Sequence, residues 1–212
     1  MLTALKLPAN AEPVPRPPLP ERLRAGTRAL HDRIERNRWF GRLTASDLSR
    51  SEYLLVLARV YGHHRPAEEA LARALPMLPP EVEADRRLRR TALLEADLLA
   101  LGFDAVAIGS LPRWQAPDFA SAEEAIGMLY VLEGSTMGGQ VIARHLAGLL
   151  GLGPGNGAGH LLPYGLEVGA RWRSFRDALT ELDASGRIDG ERVVEAACEA
   201  FSSLDAWVAA TA

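Results

Sequence analysis

His31 lies in the stretch LRAGTRALHDRIERN (residues 23–37), whose spacing surrounds it with groups that can support an imidazole ligand. Arg24 stands seven residues before it, Thr27 four before and Glu35 four after, so a helix places all of them on one face. A metal-ligating imidazole needs its second nitrogen held by an acceptor, and Glu35 is positioned to supply one. The same spacing also describes a solvated helix surface carrying weak ion pairs. The other histidines offer less. His63 and His64 read as residues near the solvated end of a helix beside Arg65, His145 follows a glycine segment among apolar residues, and His160 falls in a loop. No His-x-x-x-His pair, paired cysteines or Glu-x-x-His supports a zinc or di-iron site. The single cysteine, Cys198, cannot form an intrachain disulfide and reads as a small core residue.

A second stretch, EAIGMLYVLEGSTMGGQVIARHLAGLL (residues 124–150), has apolar residues at helical spacing but carries Gly134, Gly138 and Gly139 within six residues. Each interior glycine costs roughly 1 kcal/mol relative to alanine. The pattern predicts one long helix interrupted by glycines, with Gly134 and Gly138 on a shared face. Either a neighbouring helix or a flat ligand then lies close against the main chain, or the helix kinks there.

The elements that must position these residues are helices. Six prolines between Pro8 and Pro20 forbid continuous helix, so residues 1–19 are expected to form an extended or disordered tail, with a helical domain over 20–212. Helices are expected from Pro20 past Ile34, from Ser49 or Ser51 through His64 and past a kink at Pro66 until Pro76, from Arg86 to Leu101, through the glycine-bearing stretch, from Glu167 to Leu182 and from Gly190 to Val208. Residues 103–119 and 151–160 read as connections. With no alternating strand runs and no fixed repeat, the class is all-α and single-domain. The chain has 212 residues, 48% of them hydrophobic, which suffices for a sizeable core. Its net charge of −3, with arginines interleaved among acids, gives no sign of a nucleic-acid partner. The absence of a membrane-length apolar run or a signal-type N-terminus leads to the expectation of a cytoplasmic protein.

Together the His31 stretch and GSTMGGQ (residues 134–140) resemble the haem oxygenase family, and the form LYVLEGSTMGG is similar to bacterial members associated with bacteriophytochromes. The resemblance continues through LSRSEYLLVLARVYGHHRPAEEAL, WRSFRDAL and EAACEAF, and so covers most of the helical region. It implies a helical bundle in which His31 ligates haem iron, Glu35 holds the imidazole, and Gly134, Gly138 and Gly139 form the floor of the distal pocket. It further implies that Arg24 and Arg173 meet the propionates and that Tyr61 belongs to the distal polar network, with Ser135 or Thr136 as the hydroxyl that holds a water there. Guanidinium forks suit carboxylates, and a neutral imidazole lacks the electron push of a thiolate. Where animal-type enzymes carry a distal arginine and aspartate, this chain has Val131 and Ser135, so protons must reach the site by a different arrangement.

The resemblance implies oxidative cleavage of haem, both substrate and cofactor, to biliverdin, carbon monoxide and ferrous iron. No flavin or nicotinamide fingerprint is present, so electrons come from an external donor, and a bacteriophytochrome is an expected recipient of biliverdin. A haem carrier or sensor that does not turn over is the alternative. A thiaminase-like hydrolase is a third reading, for which Cys198 in a core is a poor nucleophile.

Overall fold

The computed structural model describes residues 16–210, so the proline-rich stretch through residue 15 lies outside the described residues. These residues form α1 (Leu19–Glu35), α2 (Arg50–Ala74), α3 (Arg90–Ala100), α4 (Ala105–Gly109), α5 (Ala122–Leu150), α6 (Val168–Ala184) and α7 (Gly190–Ala210), with no strand among them. Short 3-10 turns fill the connections. No described helix is long and apolar enough to cross a membrane.

Local chemistry explains the boundaries. Pro20 occupies the first turn of α1, where its missing N–H is no loss. Ser49 and Glu52 form a reciprocal capping box at the start of α2. Ser121 caps α5, whose far end closes at Gly151 with φ of 66°. The segment expected to be a plain loop before α5 contains one short helix, α4, capped by Asp104.

Two expectations need correction. The second helix runs on past Pro66 as expected, but His63 and His64 are buried instead of solvated. The carbonyl that Pro66 leaves without an N–H partner, that of Gly62, accepts a hydrogen bond from the Trp114 backbone at 2.9 Å. The helix therefore continues through the proline to Ala74 and carries both imidazoles into the interior. The glycines, likewise, do not interrupt α5, which is helical throughout.

α7 is the common support. α1 lies parallel to it, tied by Arg22 to Glu191 at one end and Arg33 to Asp205 at the other, with Gly26 against Val194 between them. α5 is also parallel to α7, from Glu123 beside Asp189 to Gly127, where an added Cβ would stand 2.5 Å from that of Ala196. α1 and α5 each pack extensively on α7 and touch α6, with little direct contact between themselves. Apolar burial follows two clusters. The first joins α1, α6, α7, the last turns of α2 from Ala67 and the first half of α5 up to Leu132. The second joins α2, α3, α4 and the last turns of α5 from Ala143. The glycine segment spans the interval between them.

Candidate functional site

Since α1 and α5 both run parallel to α7, their positions can be compared along it. Gly26 and Gly127 meet neighbouring turns of α7, and His31, just over one turn beyond Gly26, lies edge-on to Phe201 with ring centroids 6.0 Å apart. The His31 turn is thus level with the part of α5 that enters Gly134. The imidazole is 54% exposed, and its Nδ1 stands 3.7 Å from Glu35 Oε1, longer than a hydrogen bond. Asp32 belongs to the same group, all three side chains offering ligand atoms within 4.8 Å of one another. Nδ1 faces the carboxylate, leaving Nε2 as the nitrogen open to a ligand.

The three glycines differ. A Cβ on Gly139 would meet the Leu161 carbonyl oxygen at 2.5 Å, so this glycine admits the backbone of the α5–α6 connection. One on Gly134 would make ordinary contact with the Trp172 ring at 3.5 Å, and one on Gly138 would meet nothing within 4 Å. Gly138 is therefore glycine on an open face, where packing gives no reason for it. The same part of α5 exposes Met137 by 41% and Val141 by 54%, apolar side chains that a flat apolar ligand would cover.

A polar group gathers on Tyr130 of α5. Burial pushes its hydroxyl pKa up, against a hydrogen bond with Thr27 and the nearby charges of Arg176 and Arg24. Tyr130 also lies against Trp172, centroids 5.5 Å apart. Arg24, Arg173 and Arg176 are exposed and form no salt bridge within the described residues. Arg173 folds back along α6 toward Gly169, whereas Arg176, which sequence reading passed over, shares the Tyr130 neighbourhood with Arg24. Its position one turn after Trp172 on a helix with an apolar stripe was the available signal.

Ser135 is on the exposed side of α5, accepts from Arg90 Nη1 at 2.5 Å and donates to the Leu132 carbonyl at 2.6 Å. Tyr61 is fully buried on α2. Its hydroxyl donates to Glu95 at 2.8 Å and accepts from Arg65 at 2.7 Å, so the structure joins it to an α2–α3 ion pair and does not bring it to Ser135. Val131 is buried. Next to the glycine segment lies an interior polar group absent from the sequence reading: Glu133 pairs with Arg87 at 2.6 Å and accepts from Tyr164 at 2.6 Å.

The donor set fits haem. An unencumbered imidazole nitrogen, a glycine segment that starts at its level and opens at Gly138 with exposed apolar residues beside it, and arginines without acidic partners match iron, a flat ring and propionates respectively.

A protein-family model described as heme oxygenase matches residues 18–210. No curated protein matches the chain in sequence. Among solved structures the fold is similar to the NO- and CO-bound heme oxygenase of Neisseria meningitidis, at 24% identity and a TM-score of 0.69 over 90% of each chain. It is also similar to the heme oxygenase of Leptospira interrogans, at 19% identity and a TM-score of 0.72 over 90% of this chain and 98% of that one. The heme complex of heme oxygenase-1 from the cyanobacterium Synechocystis gives 19% identity and a TM-score of 0.72 over 90% of each.

Proposed function

Because the chain belongs to the haem oxygenase family, we propose that it cleaves haem to biliverdin, carbon monoxide and ferrous iron, with His31 as the iron ligand. The observations that carry this reading are the half-exposed His31, whose turn is level along α7 with the start of the glycine segment, and the free space over Gly138 one turn further along α5. Bound haem supplies the iron at which oxygen is activated and the ring that is opened.

The chain's own residues hold and orient the substrate. His31 offers Nε2, and Glu35 restrains the ring from the Nδ1 side after a small side-chain adjustment from 3.7 Å. Gly138, with Gly134, keeps bulk away from the opposite face, so small reactants fit between helix and ring. Gly139 keeps α5 seated on the Leu161 backbone. Arg24 and Arg176 flank the edge beside Tyr130, with Arg173 on the same helix, and fix which way the carboxylates point. Ser135 presents a hydroxyl on the exposed side, and Tyr61, apart from it, braces α2 against α3 through Glu95. Electrons come from a separate donor protein or small reductant, the reaction takes place in the cytoplasm on a helical domain starting near residue 20, and a bacteriophytochrome takes the biliverdin.

Incubating purified protein with haemin and ascorbate tests the reading. Loss of the Soret band with rising biliverdin absorption is expected. A stable Soret band indicates a carrier or sensor, and no haem spectrum overturns haem binding altogether.

A further inference from the structure

The arginine and carboxylate expected on the distal helix are replaced by Val131 and Ser135, yet a guanidinium still reaches this place from another element. Arg90, at the first turn of α3, is 5% exposed and donates from Nη1 to both Ser135 Oγ and the Leu132 carbonyl. Its placement is over-determined. Glu68 of α2 accepts the backbone N–H of Arg90 at 2.9 Å and of Thr91 at 3.1 Å, capping a helix whose own N-cap, Arg89, supplies no side-chain bond. Ser135 accepts from Arg90 and donates to Leu132, so its one remaining site is a lone pair.

Behind Arg90 lies polar surface with unmet hydrogen-bonding capacity. Arg90 Nε, Thr91 Oγ1 and both nitrogens of His64 are buried without a protein partner. Burial holds His64 well below an ordinary histidine, helped by the charge of Arg90 and the neighbouring His63 and His160, so it stays neutral. The groups facing Arg90 are Glu68 and His64 from α2, Glu133 from α5, and Tyr164 and His160 from the α5–α6 connection.

Resting on the haem reading above, we propose that Arg90 is the positioning residue of the distal pocket. It fixes the Ser135 hydroxyl and supplies from α3 the positive charge that α5 lacks, thereby lowering the pKa of a water or hydroxylic ligand held over the Gly134–Gly138 face. The charge of the fixed guanidinium favours the anionic form of such a ligand, while the remaining lone pair of Ser135 holds it in place by accepting the O–H that a hydroxide retains. Packing alone would require neither the charge nor the link to an exposed hydroxyl.

The experiment titrates the acid–alkaline transition of the ferric haem complex by absorption, in wild type, Arg90→Met and Arg90→Lys, beside thermal melts of each. Arg90→Met is expected to raise the midpoint by about one unit while retaining the His31-ligated spectrum, and Arg90→Lys to recover part of the shift. In a Ser135→Ala background the Arg90→Met shift should shrink. If Arg90→Met does not fold, Arg90→Gln, which keeps a donor for the Leu132 carbonyl, carries the same expectation. A folded neutral variant with an unmoved midpoint overturns the role of Arg90 and leaves the haem reading intact. A wild-type protein without a Soret band overturns both.

Discussion

The Leu161 carbonyl oxygen stands 2.5 Å from the point where a side chain on Gly139 would begin. Gly138, its neighbour, has open space at the same point. Consecutive glycines on one helix therefore face opposite requirements, and substitutions separate them. Gly139→Ala is expected to destabilise the protein by about 1–3 kcal/mol through overpacking, with its folded fraction turning over normally. Gly138→Leu should melt at or above the wild-type temperature, because the helix gains propensity, and bind haem yet lose biliverdin formation. Thermal melts beside biliverdin yield check both. A Gly138→Leu protein with normal yield would show that its open face serves no chemistry.

His31→Ala should leave the melting temperature within a few degrees of wild type, since the imidazole is half exposed and makes no hydrogen bond. The histidine-ligated haem spectrum should disappear. Titration with haemin, followed in the Soret region, decides the matter. Retention of wild-type spectrum and turnover would remove His31 from the site.

Arg176→Glu and Arg173→Glu bring a carboxylate toward the propionates. A charge-assisted contact of this kind is worth about 1–3 kcal/mol, or roughly five- to 150-fold in haem affinity. Arg176 should give the larger loss, because it lies with Arg24 near Tyr130 while Arg173 turns back along α6. Fluorescence quenching by haemin gives the affinities, and product isomer analysis reports any change in haem orientation. Equal or absent effects would contradict the assignment of the edge.

Stability should decline in mild acid through His63. Burial lowers its pKa from 6.5 to about 4, so between these values the unfolded chain takes up a proton that the native protein refuses. The stabilisation is complete above pH 6.5 and is lost as pH falls toward 4, with a full loss on the order of 3 kcal/mol. His63→Phe can keep the stacking on Trp114, now at 4.4 Å, and should reduce the slope of urea stability between pH 7 and 4.5, leaving the part contributed by buried His64. An unchanged slope would show that His63 is not the group responsible.

Much of the helical order is readable along the chain. Capping at Ser49, the stop at Gly151 and the apolar stripes of α6 and α7 are local signals, and local rules decide them. His31 and the glycine segment stood out as candidates because residue type and spacing on one helix mark them, and the family resemblance gave them their proposed roles. What escaped depended on distant partners. His63 and His64 look like end-of-helix residues until Trp114 is seen to satisfy the Gly62 carbonyl and let α2 pass through Pro66. Arg90 looks like one more surface arginine, and only the meeting of α3 with α5 joins it to Ser135. Nor does spacing tell Gly138 from Gly139, since the difference lies in a loop more than twenty residues away.

The shared support of α1 and α5 on α7 has a consequence for how the pocket can change. Because the two helices proposed to face the haem barely lean on each other, the clearance between them is inherited from where each one seats on α7. Gly26 under Val194 and Gly127 under Ala196 set those two seats independently. A methyl group gained at either seat would lift one wall of the slot while leaving every ligand-facing side chain unchanged. Gap width and surface chemistry can therefore drift separately. A chain of this architecture can retune how tightly it grips a flat ligand through residues that never touch it.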